Sequence, residues 1–530
     1  MTPGAVARGD LAPVRIIPGL AGAPDEVDVV VVGLGITGVG VALDAVTRGL
    51  SVLAVDAHDL AFGTSRWSSK LVHGGLRYLA QGQVAIAHES AVERGILMAV
   101  TAPHLVRPLP MLTPLGDTMP RRRAALTWAG LHAGDLLRRT ARTSARTLPR
   151  PRRLNATEAR SLAPSLRADT LRGGLLAWDG QLEDDARLVV NVARTAAAYG
   201  AHVRTRARAT AATGTSVELR DELTGGRTVV GARAVVNATG VWAGDLDDRV
   251  RLRPSRGTHL VLRGSALHTR VAVVVPIPGA RARFAMVLPQ PDGTVYVGLT
   301  DEPVTGPVPD VPAPSAAEVD FLLDVVAPVF TDPPTRSDVV GSFAGLRPLL
   351  QVDGTDATAD LSRRHAILTS ATGVTTVVGG KLTTYRRMAA DTLDHLVAAG
   401  RLRAGPCRTA ALPLRGAGTP AQLRRCRAPA RLVRRFGTDA ELVLATAREV
   451  TGLPDDELLA PAAPDVPVTL AELVFAITDE GAHDADDLLD RRTRVGLVEA
   501  DRAVAAHLAE RALRLVAASR SALSRTPGEA

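Results

Sequence analysis

The 530-residue sequence predicts an α/β fold: a Rossmann-like dinucleotide-binding domain interleaved with an antiparallel-sheet domain, then a C-terminal helical domain. Three observations predict it. Residues 27–56 read as strand, glycine-rich turn, helix and second strand. Residues 251–300 alternate apolar and polar positions between turn signals such as Asp292-Gly293, the mark of antiparallel strands. Beyond residue 420 the pattern is helical to the end, with no second glycine-rich loop of the first kind.

The first of these elements is the most specific. The valine-rich run Val27–Val32 leads into Gly33-Leu-Gly35-Ile-Thr-Gly38, a helical pattern follows to Gly49, and a second apolar strand ends in Asp56. Gly33 permits the tight turn, Gly35 lets backbone approach a pyrophosphate, and Gly38 lets the helix pack close to the strand. The helix start aims free N–H groups and a positive dipole end at the phosphates. Asp56 stands where a carboxylate accepts hydrogen bonds from a ribose.

A polar, glycine-rich stretch comes next, with Ser65, Ser69, His73, Gly74 and Gly75. Residues 83–101 read as helix, and 104–177 as Pro/Arg-rich and partly helical. Asp184 or Asp185 caps a helix that ends near Gly200. Short strands follow at 202–229, then Ala234–Gly240; a helix is expected over 315–329, and strands at 339–344, 365–369 and 375–378. A last helix of this part starts after Gly379-Gly380-Lys381. The expected organisation is a flexible tail over 1–24, two interleaved domains over 25–403, a Gly/Pro/Arg linker over 404–419 and helices over 420–530. Within the interleaved part, 25–105, 178–250 and 340–403 belong mainly to the dinucleotide domain. Residues 106–177 and 251–339 belong mainly to the substrate domain.

Three glycine signals far apart in sequence suggest FAD over a nicotinamide. Gly33/Gly35/Gly38 hold the pyrophosphate, a strand ends at Asn237-Ala-Thr-Gly240, and Val378-Gly379-Gly380-Lys381 places a helix start after a strand. The dipole of that helix start stabilises negative charge at the edge of a reduced flavin. The formal charge of +8 fits an anionic substrate, an anionic membrane surface or nucleic acid. Two cysteines, Cys407 and Cys426, offer no disulfide framework and no zinc spacing, as expected in a reducing compartment. No uncharged apolar run reaches the roughly 18–20 residues that span a bilayer, and residues 1–24 lack a signal-peptide core. A cytoplasmic protein is expected, at most peripheral on the inner membrane face.

The chain resembles the FAD-dependent glycerol-3-phosphate dehydrogenase family. Residues 68–79 (SSKLVHGGLRYL) and 377–386 (VVGGKLTTYR) are the most specific stretches. EDDARLVV, VNATGVWA, RGTHLVL, GLTDEP and GLRPLL follow in the family's order, and Leu489–Arg494 (LDRRTR) resembles its C-terminal domain. Leu34 and Asp56 stand where the family often has Gly and Glu. The resemblance implies oxidation of sn-glycerol 3-phosphate to dihydroxyacetone phosphate, with hydride passing to FAD and electrons to membrane quinone. It implies His259, Arg347 and Lys381 near the C2 hydroxyl as catalytic residues, and Arg77, Tyr78 and Arg363 on the phosphate. Ser65, Ser69, His73, Gly74, Gly75, Ala209, Gly240, Gly380, Leu382 and Thr383 join Gly33, Gly35, Gly38 and Asp56 around FAD. No metal is expected. The expected partners are glycerol 3-phosphate and a quinone, with an anionic membrane surface and a homodimer left open and no nucleic acid.

Ten arginines lie between residues 121 and 153 against one acid, Asp135, with Leu126, Trp128, Leu131, Leu136 and Leu137 between them. This reads either as an interfacial basic helix or as a plain surface excursion. Two other functions stay open at this point: an oxidase that passes electrons to oxygen, and a non-catalytic FAD-bound scaffold that binds a partner through the basic patch.

Overall fold

The computed structural model describes residues 16–75, 78–79, 82–280, 283–351 and 365–525. Arg77 and Arg363 lie outside them. Among the described residues, two large sheets carry the N-terminal three quarters of the chain.

The first sheet has nine strands. Its parallel centre runs Ile16–Pro18, His202–Thr205, Val52–Val55, Glu26–Val32, Arg227–Asn237 and Thr375–Val378. Val29, Val30 and Val31 are wholly buried, which explains why the second of these strands reads as a continuous valine run and not an alternation. On one face the helices Ile36–Thr47, Asp185–Ala198 and Tyr385–Ala398 share a core with Val29 and Val31. A meander of Ala207–Ala212, Ser216–Asp221 and Arg227–Asn237 brings Val217, Leu219 and Val230 to Val30, Val32 and Leu53. Ile16–Pro18 falls in the stretch read as a tail, yet it pairs with His202–Thr205 and buries Ile16.

The second sheet has ten strands and is antiparallel except where Ala272–Pro276 runs parallel to Val106–Leu115. Val106–Leu115 and Gly173–Leu182 pair over ten residues, from Val106 opposite Leu182 to Leu115 opposite Gly173. The sequence reading missed this pair because Pro108, Pro110 and Pro114 look like loop. All three have the same parity, so the missing N–H groups fall on one side of the strand and the other side pairs along its whole length. Ala316–Val326, opened by a Ser315–Glu318 capping box, packs Leu322 and Val326 against this sheet.

The C-terminal part packs Ala430–Phe436, Ala440–Thr451, Leu470–Thr478 and Glu499–Arg525 around Phe436, Leu473 and Phe475. It is not helical throughout. A short hairpin pairs Pro461–Ala463 with Val466–Thr469, turning at Pro464-Asp465, a turn signal overlooked beside the stronger helical pattern. The seam between this part and the first sheet is ionic and buried. Asp59 bonds Arg491 at 2.9 Å and Arg492 at 2.7 Å, Asp184 bonds Arg435 at 3.1 Å, and Arg187 pairs with Glu480. Among the described residues no helix is long and apolar enough to cross a membrane.

Candidate active site

A cavity of about 1650 Å³ lies between the two sheets. That exceeds the roughly 300–1,000 Å³ of an ordinary small-molecule site. Gly33 and Gly35 line one part of it. Gly33 has φ +102°, and a Cβ there would meet the Ala238 carbonyl oxygen at 2.6 Å. A Cβ on Gly38 would lie 1.8 Å from the Gly33 oxygen, so Gly38 serves helix–strand packing and not the cavity wall. At Gly35 a Cβ would meet only the Ser65 hydroxyl, at 3.1 Å, and that open side faces the cavity. The Ser65 hydroxyl accepts from Ile36 N at 2.9 Å, and Asp56 accepts from Leu34 N at 2.7 Å and His58 N at 2.8 Å. Asp56 thus ties the second strand to the glycine turn while lining the cavity. Each of its oxygens keeps a further lone pair for a ribose. Ala209, Gly240, Gly380, Leu382 and Thr383 also line the wall, and Gly240 takes φ +64°.

The second sheet brings the candidate catalytic residues to the same cavity. His259 lies in Ser255–Arg263, opposite Phe343 on one side and Gly298 on the other. Arg347 ends Val339–Arg347, opposite Ser255. Three glycines make these placements possible. A Cβ on Gly298 would meet His259 Cδ2 at 2.3 Å, one on Gly257 would meet Arg347 Nη2 at 2.4 Å, and one on Gly345 would meet the Trp67 oxygen at 2.6 Å. Arg347 donates from Nη1 to Ser255 Oγ and Asp301 Oδ1, both at 3.2 Å, and from Nη2 to the Thr300 carbonyl at 3.3 Å. Glu318 braces this corner: it accepts from Thr258 Oγ1 at 2.9 Å and Thr300 Oγ1 at 2.8 Å, and pairs with Arg256. Against the opposing effect of burial, the Ser315 N–H together with Arg256 and the two hydroxyls holds its carboxyl down to about 2. Lys381 precedes the turn Leu382–Thr384. Its Nζ bonds Ser90 Oγ at 2.9 Å and lies 3.6 Å from the centre of the Tyr78 ring.

His259 is 1% exposed, stacks on Phe343 at 4.8 Å, and meets Ser69 Oγ through Nε2 at 2.8 Å. Burial, then Lys70 and Arg347, push its ring down to about 3. The imidazole is therefore neutral at any working pH and a weaker base than an exposed histidine. His73 and Tyr78 line the cavity as well. Gly74 and Gly75 do not. They shape the turn beneath it: a Cβ on Gly74 would meet Arg94 Nη1 at 2.3 Å, Gly74 N donates to Asp179, and Gly75 has φ +75°. Sequence reasoning missed Phe343, Asp301 and Glu318. Asp301 stood inside the quoted GLTDEP without a role, and a Ser315-x-x-Glu318 capping pattern was the available signal for Glu318.

His104 is a second buried ring, held at Nε2 by Asn191 at 3.1 Å and likewise pushed by burial to about 3. Both rings stay neutral when folded but take a proton in the unfolded chain below the ordinary 6.5. The unfolded state then binds more protons between pH 6.5 and about 3. The stability each ring provides is full above pH 6.5 and is lost as pH falls through that window. Tm is expected to fall between pH 7.5 and 4.5, and His104→Gln is expected to flatten the fall. An unchanged slope in that variant would exclude His104 as its source.

These features fit FAD: a cradle that a Cβ would fill, a ribose-side acid, and a cavity running from both to a cationic corner. The family described as "FAD dependent oxidoreductase" matches residues 28–386, and "C-terminal domain of alpha-glycerophosphate oxidase" matches residues 407–521. Glycerol-3-phosphate dehydrogenase 1 of Mycobacterium tuberculosis is 53% identical over 482 residues, covering 90% of this chain and 92% of that relative. The chain belongs to the FAD-dependent glycerol-3-phosphate dehydrogenase family. Glycerol-3-phosphate dehydrogenase of Mycobacterium leprae is 37% identical, covering 91% of this chain and 83% of the relative. The crystal structure of the glycerol-3-phosphate dehydrogenase from Bacillus halodurans, complexed with FAD, superposes with a TM-score of 0.69 at 27% identity, over 95% of this chain and 96% of that one. The cofactor is FAD.

Proposed function

We propose that this flavoenzyme oxidises sn-glycerol 3-phosphate to dihydroxyacetone phosphate and passes the electrons to a membrane quinone. The observation that carries the reading is the meeting of Arg347, Lys381 and His259 on the cavity that also holds the glycine cradle. Bound FAD supplies the acceptor for a hydride from C2. The protein's own groups do the rest. Arg347, fixed by Ser255, Asp301 and the Thr300 carbonyl, presents a rigid guanidinium to an anionic substrate. Lys381 donates to the C2 oxygen and orients it, and neutral His259 is the group that accepts the hydroxyl proton. Tyr78, with Arg77 and Arg363, serves the phosphate, and the helix start after Gly380 favours the charge that develops on the cofactor.

Support for the quinone comes from the helix Arg121–Thr140. Arg123, Thr127, Gly130 and Leu131 line the cavity. Leu126, at the cavity rim, is 74% exposed, and further along the same helix Leu136 is 61% exposed, beside exposed Arg121, Arg122 and Arg139. An apolar and basic outer face suits the boundary of an anionic bilayer. A quinone there would stand one helix away from the cavity.

Glycerol 3-phosphate is expected to bleach the flavin under anaerobic conditions and glycerol is not, because the phosphate contacts supply the energy that positions C2. Turnover with a soluble quinone is expected to exceed turnover with air or NAD by at least an order of magnitude. Peroxide formation in air at the quinone rate would make the protein an oxidase. Equal bleaching by glycerol would remove the phosphate from the reading.

A further inference from the structure

Lys70 combines two unfavourable features beside the site. Its side chain is 1% exposed, and its backbone takes φ +56°, a left-handed conformation that a non-glycine residue adopts only under constraint. Buried charges are costly even when paired, and strained backbone gathers where function needs it. The surroundings show what holds Lys70. Its Nζ donates to Asp185 at 2.8 Å and to the Arg66 carbonyl at 2.7 Å. Asp185 also accepts from Ser68 N at 2.9 Å and Ser68 Oγ at 2.7 Å, and the Lys70 carbonyl accepts from Leu182 N at 2.7 Å. Residues 68 and 70 are thus pinned, and Ser69 between them meets His259 Nε2 at 2.8 Å. Lys70 Nζ also lies 5.2 Å from the centre of the Phe343 ring, whose ring stacks on His259. Arg347 is the other cation facing that ring, with Asp301 and Asp185 as the counter-ions behind the two cations.

We propose that Lys70 is a positioning residue for His259. Its ion-paired side chain fixes the turn 68–70 so that the Ser69 hydroxyl meets Nε2, and it stands behind the Phe343 ring on which His259 stacks. The imidazole then holds one orientation toward the cavity. This deepens the proposed oxidation and rests on that reading.

The test uses FAD-loaded Lys70→Met in the full chain. Flavin content is expected to stay near wild type. Flavin reduction by glycerol 3-phosphate is expected to slow 10- to 100-fold, with KM changed less than about twofold, because a misplaced group costs rate and Lys70 does not hold the phosphate. In protein carrying ¹³C-labelled histidine, the His259 ring signal, assigned by its loss in His259→Gln, is expected to move in Lys70→Met. If Lys70→Met fails to fold, Lys70→Met/Asp185→Asn removes both charges and leaves an amide oxygen to accept from Ser68. The same slowing and the same signal shift are expected in it. Wild-type reduction rates in the folded variant, or a loss seen only in KM, would overturn the proposal. If glycerol 3-phosphate does not reduce the wild-type flavin, the oxidation reading falls instead. The ring signal then decides alone: a shift supports Lys70 as the positioning group, and an unmoved signal overturns it.

Discussion

Arg347→Ala is expected to lower kcat/KM for glycerol 3-phosphate by on the order of 10²-fold or more, with FAD content close to wild type. The guanidinium is held by three acceptors, Ser255 Oγ, Asp301 Oδ1 and the Thr300 carbonyl. That preorganisation gives a charge-assisted contact its strength, and losing one costs a few kcal/mol. Arg347 stands on the second sheet and the glycine cradle follows a strand of the first, so cofactor binding is expected to survive the change. Arg347→Lys is expected to recover little, since an ammonium cannot reproduce a planar fork that serves Ser255 and the Thr300 carbonyl together. Steady-state kinetics and flavin absorbance on the same preparations check both statements. Wild-type kinetics in Arg347→Ala would remove this residue from the site.

Gly38→Ala is expected to reduce flavin occupancy to roughly a tenth or less and to lower Tm, because its single new carbon would lie 1.8 Å from the Gly33 oxygen. Backbone cannot yield there without opening the turn. Gly35→Ala separates folding from cofactor binding. Its Cβ would meet only the Ser65 hydroxyl, at 3.1 Å, so the cofactor-free fold is expected to keep its stability while FAD binds more weakly. Thermal unfolding with and without added FAD checks the pair. Wild-type FAD affinity in Gly35→Ala would mean that the cofactor does not approach Gly35.

The elements legible in the sequence are those whose local and global demands agree. The valine run, the glycine turn and Asp56 belong to one contiguous unit, and each residue there has one job that its chemistry announces. Val106–Leu115 was illegible because its prolines speak for loop locally, while the partner that tolerates them, Gly173–Leu182, lies some sixty residues on. His259 and Arg347 stood out as motif residues, but the sequence carried no hint that His259 is walled in by Phe343 and Gly298. Histidine suggested a base by its ordinary acidity, and burial changes that acidity. Gly257, Gly298 and Gly345 are the reverse case. They stand plainly in RGTHLVL, GLTDEP and GLRPLL, and only the packed structure shows which side chain or backbone atom each one admits.

The buried seam formed by Asp59, Asp184, Arg187, Arg435, Glu480, Arg491 and Arg492 bears on how the molecule comes apart. Parting the helical layer from the sheet would strand these charges in a poorly hydrated surface, where one broken buried pair costs about 3–5 kcal/mol. An apolar seam loosens gradually, whereas this one is either closed or fully opened to water. The two parts are therefore expected to melt in one calorimetric transition, with no earlier release of the C-terminal helices.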